Sequence, residues 1–243
     1  MRRPVDPTGY RPRMDRRALL SAVSIFGSLD DREIDALLEV TTTRRIGAKE
    51  VLFRKGDPGN QLYGVLVGRL KVMVTGQDGR ELVFGVMGPG DVIGEIAVVD
   101  SEPRSASVTA LERAELLVLH RRELIPFLER HPKVAIRLAA MLAGRVRRLS
   151  AFTEDSVFLP LPARMAKTLL VLAASYGREG PEGAAVDIPL AQQDLADMVG
   201  TTRESVNKQL RTWEEASIVG LKRARVILID RRALEEISDL VAV

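Results

Sequence analysis

The chain is 243 residues long, 46% hydrophobic and only 4% aromatic, with a formal net charge of +3 and no cysteine. That length fits one large or two modest domains. The missing thiols exclude disulfides, cysteine-ligated iron–sulfur clusters and thiol catalysis, and no apolar run reaches the ~18 residues of a membrane helix.

Residues 1–17 hold six arginines against two aspartates and are punctuated by Pro4, Pro7, Gly9 and Pro12. This basic arm reads as disordered and lacks the apolar stretch of a secretory leader, so a cytoplasmic protein is expected. Arg16 to Val40 has helical spacing, with Leu19, Leu20, Ile34, Leu37 and Leu38 as apolar contacts. From Thr41 to Leu119 the pattern changes to short β-rich runs at 50–54, 62–67, 70–74, 81–86, 105–111 and 116–119. Glycine-rich turns at 56–59, 76–79 and 88–90 separate them. Many short strands with regular turns predict an antiparallel sandwich or barrel-like roll.

Between two of these runs lies Gly94-Glu95-Ile96-Ala97-Val98-Val99-Asp100-Ser101-Glu102-Pro103-Arg104-Ser105-Ala106. It reads as one short helical turn that suits a small anionic sugar phosphate. Gly94 lets the backbone approach closely, and the N–H groups of Ile96 and Ala97 point at an anion as at other helix N-termini. Arg104 offers a planar fork to phosphate oxygens. Glu95 accepts from a ribose hydroxyl, and Ser105 donates to the phosphate. The plain alternative is a surface loop in which Glu95 and Arg104 pair with each other.

Arg122 to Arg130 reads as a short helix, and a longer one runs from Pro132 to about Asp155. Ala135, Ala139, Leu142, Val146, Leu149 and Thr153 alternate at steps of four and three, the pattern of a packing seam. Phe158 to Pro162 is a proline-marked hinge, Ala163 to Ala174 a further helix, and Tyr176 to Ala185 a glycine-rich loop. Leu190 to Ala216 then reads as a helix-turn-helix, with Ala196, Gly200 and Val206 at its spacings. Thr201 and Glu204 suggest a capping box that starts the second helix. Val206, Leu210 and Trp213 form the buried stripe of that helix. Thr202, Arg203, Glu204, Asn207, Lys208 and Arg211 are the expected DNA contacts. Gly220 to Ile229 looks like a hairpin wing, with Lys222 and Arg223 as phosphate contacts. From Leu159 onward there are 11 basic and 12 acidic residues, so any DNA-facing charge must be local. His120 and His131 stand apart from each other and from carboxylate clusters, so neither catalysis nor a metal is expected.

These two signals, in this order, resemble the CRP/FNR family of bacterial transcription regulators. The Gly94–Ala106 stretch is similar to the phosphate-binding cassette of cyclic-nucleotide-binding domains. The resemblance implies an α+β fold: a disordered arm over 1–17, an antiparallel β-roll over 18–130, a dimerisation helix over 131–157 and a winged helix-turn-helix over 158–243. It also implies a cytoplasmic homodimer, joined through the 132–155 helix, that binds a palindromic TGTGA-like DNA site. RNA polymerase is an implied partner, near the 176–185 loop. Arg203 and Glu204 match the Arg-Glu pair that opens the recognition helix, and Lys208 stands where arginine is more usual. The implied ligand is cyclic AMP, with cyclic GMP the competitor, and no haem. Where relatives present consecutive threonine and serine residues to the adenine, this chain has Leu149 and Ser150, with Thr153 one turn on. A ligand-independent DNA-binding regulator with a vestigial cassette is the alternative.

Overall fold

The computed structural model describes residues 16–180, 183–186, 191–222 and 225–239. The basic arm therefore lies almost wholly outside the described residues, as does Arg223. The helical stretch expected over Arg16 to Val40 is two helices, α1 (Arg16–Ala22) and α2 (Asp31–Glu39). The break is set by Asp30, whose carboxylate accepts from the backbone N–H groups of Arg32 and Glu33 while Glu33 answers at the Asp30 N–H. This reciprocal cap starts a new helix in its own direction.

The roll contains β1 (Thr42–Ile46), β2 (Val51–Phe53), β3 (Gln61–Val67), β4 (Leu70–Thr75), β5 (Glu81–Met87), β6 (Val92–Ile93), the short α3 (Glu95–Asp100), β7 (Ser107–Ala110) and β8 (Ala114–His120). Its strands pair antiparallel in two four-stranded sheets, ordered β1-β8-β3-β6 and β2-β7-β4-β5. Between the sheets Tyr63, Val65, Leu70, Val108 and Leu116 form the roll's core. The outer face of β3 and β8 is covered by Leu20, Phe26, Ile34 and Leu37 from the N-terminal helices and by Leu124 and Phe127. Strand β1 escapes a hydrophobicity reading because Thr-Thr-Arg-Arg-Ile buries only its last residue.

Helices α4 (Arg121–Arg130) and α5 (Pro132–Phe158) follow, the second starting on the proline as its composition demands. Val134 and Leu138 of α5 are buried against the roll, with Met141 and Leu142 beside them. The outward stripe is therefore displaced from the expected seam. Ile136, Ala139, Ala143, Val146, Ser150, Thr153 and Val157 are exposed and keep the three–four step, whereas Ala135 and Leu142 turn partly inward. The roll claims one stripe of the helix and leaves the other open.

The C-terminal part comprises α6 (Leu161–Tyr176), β9 (Gly177–Gly180), β10 (Gly183–Val186), α7 (Gln192–Val199), α8 (Arg203–Glu215), β11 (Val219–Lys222), β12 (Arg225–Leu228) and α9 (Arg231–Ser238). The segment expected as a loop over 176–185 is thus a hairpin. Ala184 pairs with Leu228 of β12, completing a sheet of order β11-β12-β10-β9. Tertiary pairing recruits a glycine- and alanine-rich segment with little strand propensity of its own. Met165, Leu169, Leu195, Val206, Leu210, Trp213 and Leu234 fill the interior. Val83 and Val86 of β5 join the same cluster, so the roll and the C-terminal part share a core.

Trp213 is 3% exposed at the centre of that cluster. Trp213→Ala is expected to lower the unfolding free energy by about 3–5 kcal/mol, read from urea denaturation followed by circular dichroism.

Candidate functional site

The residues expected around an anion converge on one cavity between the sheets and α5. Gly94 precedes α3 with φ +81°, a left-handed conformation. A Cβ there would collide with the Arg104 guanidinium and stand 3.0 Å from the Gln61 carbonyl. Both backbone angle and space therefore demand glycine. Ile96 and Ala97 occupy the first turn of α3, whose N–H groups lack intrahelical acceptors. Ser105 is exposed at the cavity wall.

Arg104 is 4% exposed. Its Nη1 donates to the Gly94 carbonyl at 2.8 Å and Nη2 to the Gln61 carbonyl at 2.7 Å, while the guanidinium lies 4.2 Å from the Phe53 ring centre. Its Nε has no hydrogen-bond partner among the described residues. Burial pulls the guanidinium pKa below its ordinary value, opposed by Tyr63, Glu95 and Asp57. An arginine nonetheless stays cationic throughout the physiological range.

Glu95 is 1% exposed, and its partner is not Arg104. Its Oε1 accepts from Nη1 of Arg145 on α5, whose Nη2 donates to the Val92 carbonyl. The sequence reading missed Arg145. The signal was present, because Arg145 lies seven residues after Leu138 on the stripe that faces the roll. Ser150 and Thr153 are not among the cavity-lining residues. Both are exposed on α5, with hydroxyls donating to the Val146 and Leu149 carbonyls at 3.1 and 2.9 Å.

At the second site, α7 is capped by Gly200 with φ +68°, and the cap of α8 lies one residue beyond the expected one. Thr202, not Thr201, is the N-cap, its Oγ1 accepting from the Ser205 N–H at 3.3 Å. Val206, Leu210 and Trp213 are buried as expected. Arg203, Glu204, Lys208 and Arg211 are exposed together, whereas Asn207 is half-buried with an unpartnered Oδ1. Hydrogen bonds from its own backbone N–H and from the Thr202 hydroxyl hold the Glu204 carboxyl below its usual pKa. Lys222 ends β11 at the tip of the expected wing. Among the described residues, no cluster of three or more histidine, cysteine or carboxylate side chains is arranged to hold a metal.

Residues 43–131 match the cyclic nucleotide-binding domain family, and residues 163–237 match the Crp-like helix-turn-helix domain family. The chain is 30% identical to a CRP-like cAMP-activated global transcriptional regulator of Mycobacterium tuberculosis over 216 residues, 89% of this chain and 96% of that protein. It is 32% identical to the cyclic AMP receptor protein of Thermus thermophilus, covering 88% of this chain and 96% of the relative. Among solved structures, a CRP-family transcriptional regulator from Thermus thermophilus superposes with a TM-score of 0.70 at 26% identity, over 80% of this chain and 96% of the other. FixK2 from Bradyrhizobium japonicum shares the fold with a TM-score of 0.74 at 23% identity, over 84% and 100% of the two chains.

Gly79 provides a control for Gly94, since its φ is +80° but a Cβ there would meet nothing within 4 Å. Both Gly→Ala changes carry the backbone strain of a positive φ, about 1 kcal/mol or more. Gly94→Ala adds the collision, so its thermal midpoint is expected to fall clearly further than that of Gly79→Ala in calorimetry.

Proposed function

The chain belongs to the CRP/FNR family of transcription regulators, and on that premise we propose that a cyclic nucleotide gates its binding to DNA. Cyclic AMP is the first choice of ligand and cyclic GMP the second. The observation that carries this reading is the charge of the cavity. Arg104 and Arg145 set two guanidiniums against the single carboxylate of Glu95. The net charge of +1 complements a cyclic phosphodiester, which carries one negative charge. Arg104 holds the phosphate with Ser105 and the N–H groups of Ile96 and Ala97, and Glu95 takes the ribose hydroxyl.

The working unit in this reading is a homodimer built on the exposed stripe of α5. An apolar stripe of three–four periodicity on a 27-residue helix is suited to a two-helix seam. Ser150 and Thr153 lie on that stripe, so dimerisation carries them toward the partner's ligand, while Leu149 at 46% exposure offers only apolar contact to the base. Two recognition helices related by a twofold axis then address two half-sites of a TGTGA-like palindrome. Arg203, Glu204, Lys208 and Arg211 read the groove, with Thr202, Asn207, Lys222 and Arg223 supporting. RNA polymerase is the proposed partner of the promoter-bound dimer. A cytoplasmic site of action follows from this role, and no described helix is long and apolar enough to cross a membrane.

The second reading, DNA binding without a small molecule, is favoured by one feature. Arg104 and Glu95 already have protein partners in the Gly94 and Gln61 carbonyls and in Arg145. Titration calorimetry with cyclic AMP and cyclic GMP separates the two readings.

Under the gated reading, Arg104→Ala weakens nucleotide binding by about 2 kcal/mol or more in that titration. An unchanged affinity would contradict the cassette assignment. Arg203→Ala is expected to cut discrimination at one guanine of the half-site by about 1–3 kcal/mol, measured by competition between duplexes that differ at that base pair. Equal weakening on all duplexes would make Arg203 a phosphate contact only.

A further inference from the structure

We infer that Lys71 is an ionic latch between the roll and the helix-turn-helix, and that through it the β4–β5 hairpin couples the nucleotide cavity to the DNA-reading unit. The coupling rests on the nucleotide gating proposed above. Its basis is the two-faced character of one hairpin. Residues facing each other across an antiparallel pair share a side of the sheet. Val72, paired with Gly85, lines the cavity, and Met87, paired with Leu70, packs in the roll core beneath it. Lys71 pairs with Val86, Met73 with Val83 and Thr75 with Glu81, and these residues occupy the opposite side. There Met73, Val83 and Val86 pack into the core of the C-terminal domain. Two residues only one peptide apart thus face the ligand cavity and the DNA-binding domain.

Lys71 closes this second face. Its Nζ donates to Glu81 at 3.0 Å within the hairpin and to Oδ1 of Asp194 on α7 at 2.9 Å. The Lys71 and Asp194 side chains are only 15% and 14% exposed, so water screens the pair poorly. Burial lowers the Lys71 pKa, but the hydrogen bonds and charges of Asp194 and Glu81 outweigh it, and the net shift is upward. Asp194 also accepts from the Ala191 N–H through its other oxygen, so the latch grips the α7 N-terminus itself. One turn on, Asp197 is buried and bonded to Gln193. Lys71 is therefore a cation set between Glu81 of the roll and Asp194 of α7, with the buried Asp197 one turn beyond. Without Lys71, Glu81 and Asp194 face each other uncompensated across the domain boundary, which weakens the hold of the hairpin on α7. Tyr176 braces the same boundary, its hydroxyl donating to the Val86 carbonyl at 2.9 Å beneath the Arg69 guanidinium.

The test uses the full chain, cyclic AMP and a labelled TGTGA-type duplex, and reads the factor by which the nucleotide changes duplex affinity. Lys71→Met is expected to reduce that factor about fivefold or more while still binding cyclic AMP, which also certifies its fold. Asp194→Asn, which keeps an acceptor for the Ala191 N–H, should reduce it in the same direction. Lys71→Arg retains the cation and should retain the factor. Glu81→Gln leaves the interdomain pair intact and should also retain it. A wild-type response matched within about twofold by Lys71→Met and Asp194→Asn overturns the latch alone. A wild-type protein whose duplex affinity ignores the nucleotide overturns gating, and the latch as its coupler.

Discussion

A carboxylate at 1% exposure is costly to bury without a partner, and for Glu95 the partner comes from fifty residues further along the chain. Arg145, itself a cavity-lining residue, reaches from α5 to Glu95 and fastens the helix to the first turn of α3. Much of the functional architecture follows from this one contact. It sets the rotation of α5, because the stripe that carries Arg145 also carries Val134 and Leu138 into the roll core. The face bearing Val146, Ser150 and Thr153 must then point outward. The cavity and the outward stripe are consequently two sides of one helix, and any group entering the cavity between Arg104 and Glu95 bears on how that helix is held.

The β4–β5 hairpin extends the same logic in the other direction. An element that two distant sites both touch is a physical route for coupling between them. This hairpin lines the cavity through Val72 and lends Val83 and Val86 to the core around Trp213. The boundary expected from sequence at Phe158 falls where α5 ends, and packing crosses it. Shared apolar burial makes the interface cohesive, and the Lys71–Asp194 ion pair adds a directional contact to it.

The legible parts of the sequence were those in which a local rule and a tertiary demand coincide. Gly94 needs a positive φ and a missing Cβ, and both needs are written in one residue type. Val206, Leu210 and Trp213 show a helical stripe because the helix has one buried face. The strand around Thr42–Ile46 was invisible because an edge strand of threonine and arginine buries almost nothing, and β9–β10 because its pairing is supplied by β12. The start of α8 fell one residue late since Thr201 and Thr202 are equivalent in sequence and only the turn geometry chooses between them. Arg145 was missed for a different reason. A charged residue in a helix with two neighbouring arginines reads as solvated until its stripe is known to be inward.

The most direct test is the affinity of the wild-type protein for a fluorescent palindromic TGTGA-type duplex, measured by anisotropy at fixed salt with and without saturating cyclic AMP or cyclic GMP. Nucleotide gating requires that one of the two nucleotides tighten binding tenfold or more, about 1.4 kcal/mol of coupling. Equal affinity in all three titrations would contradict it and leave a regulator that reads DNA without a nucleotide.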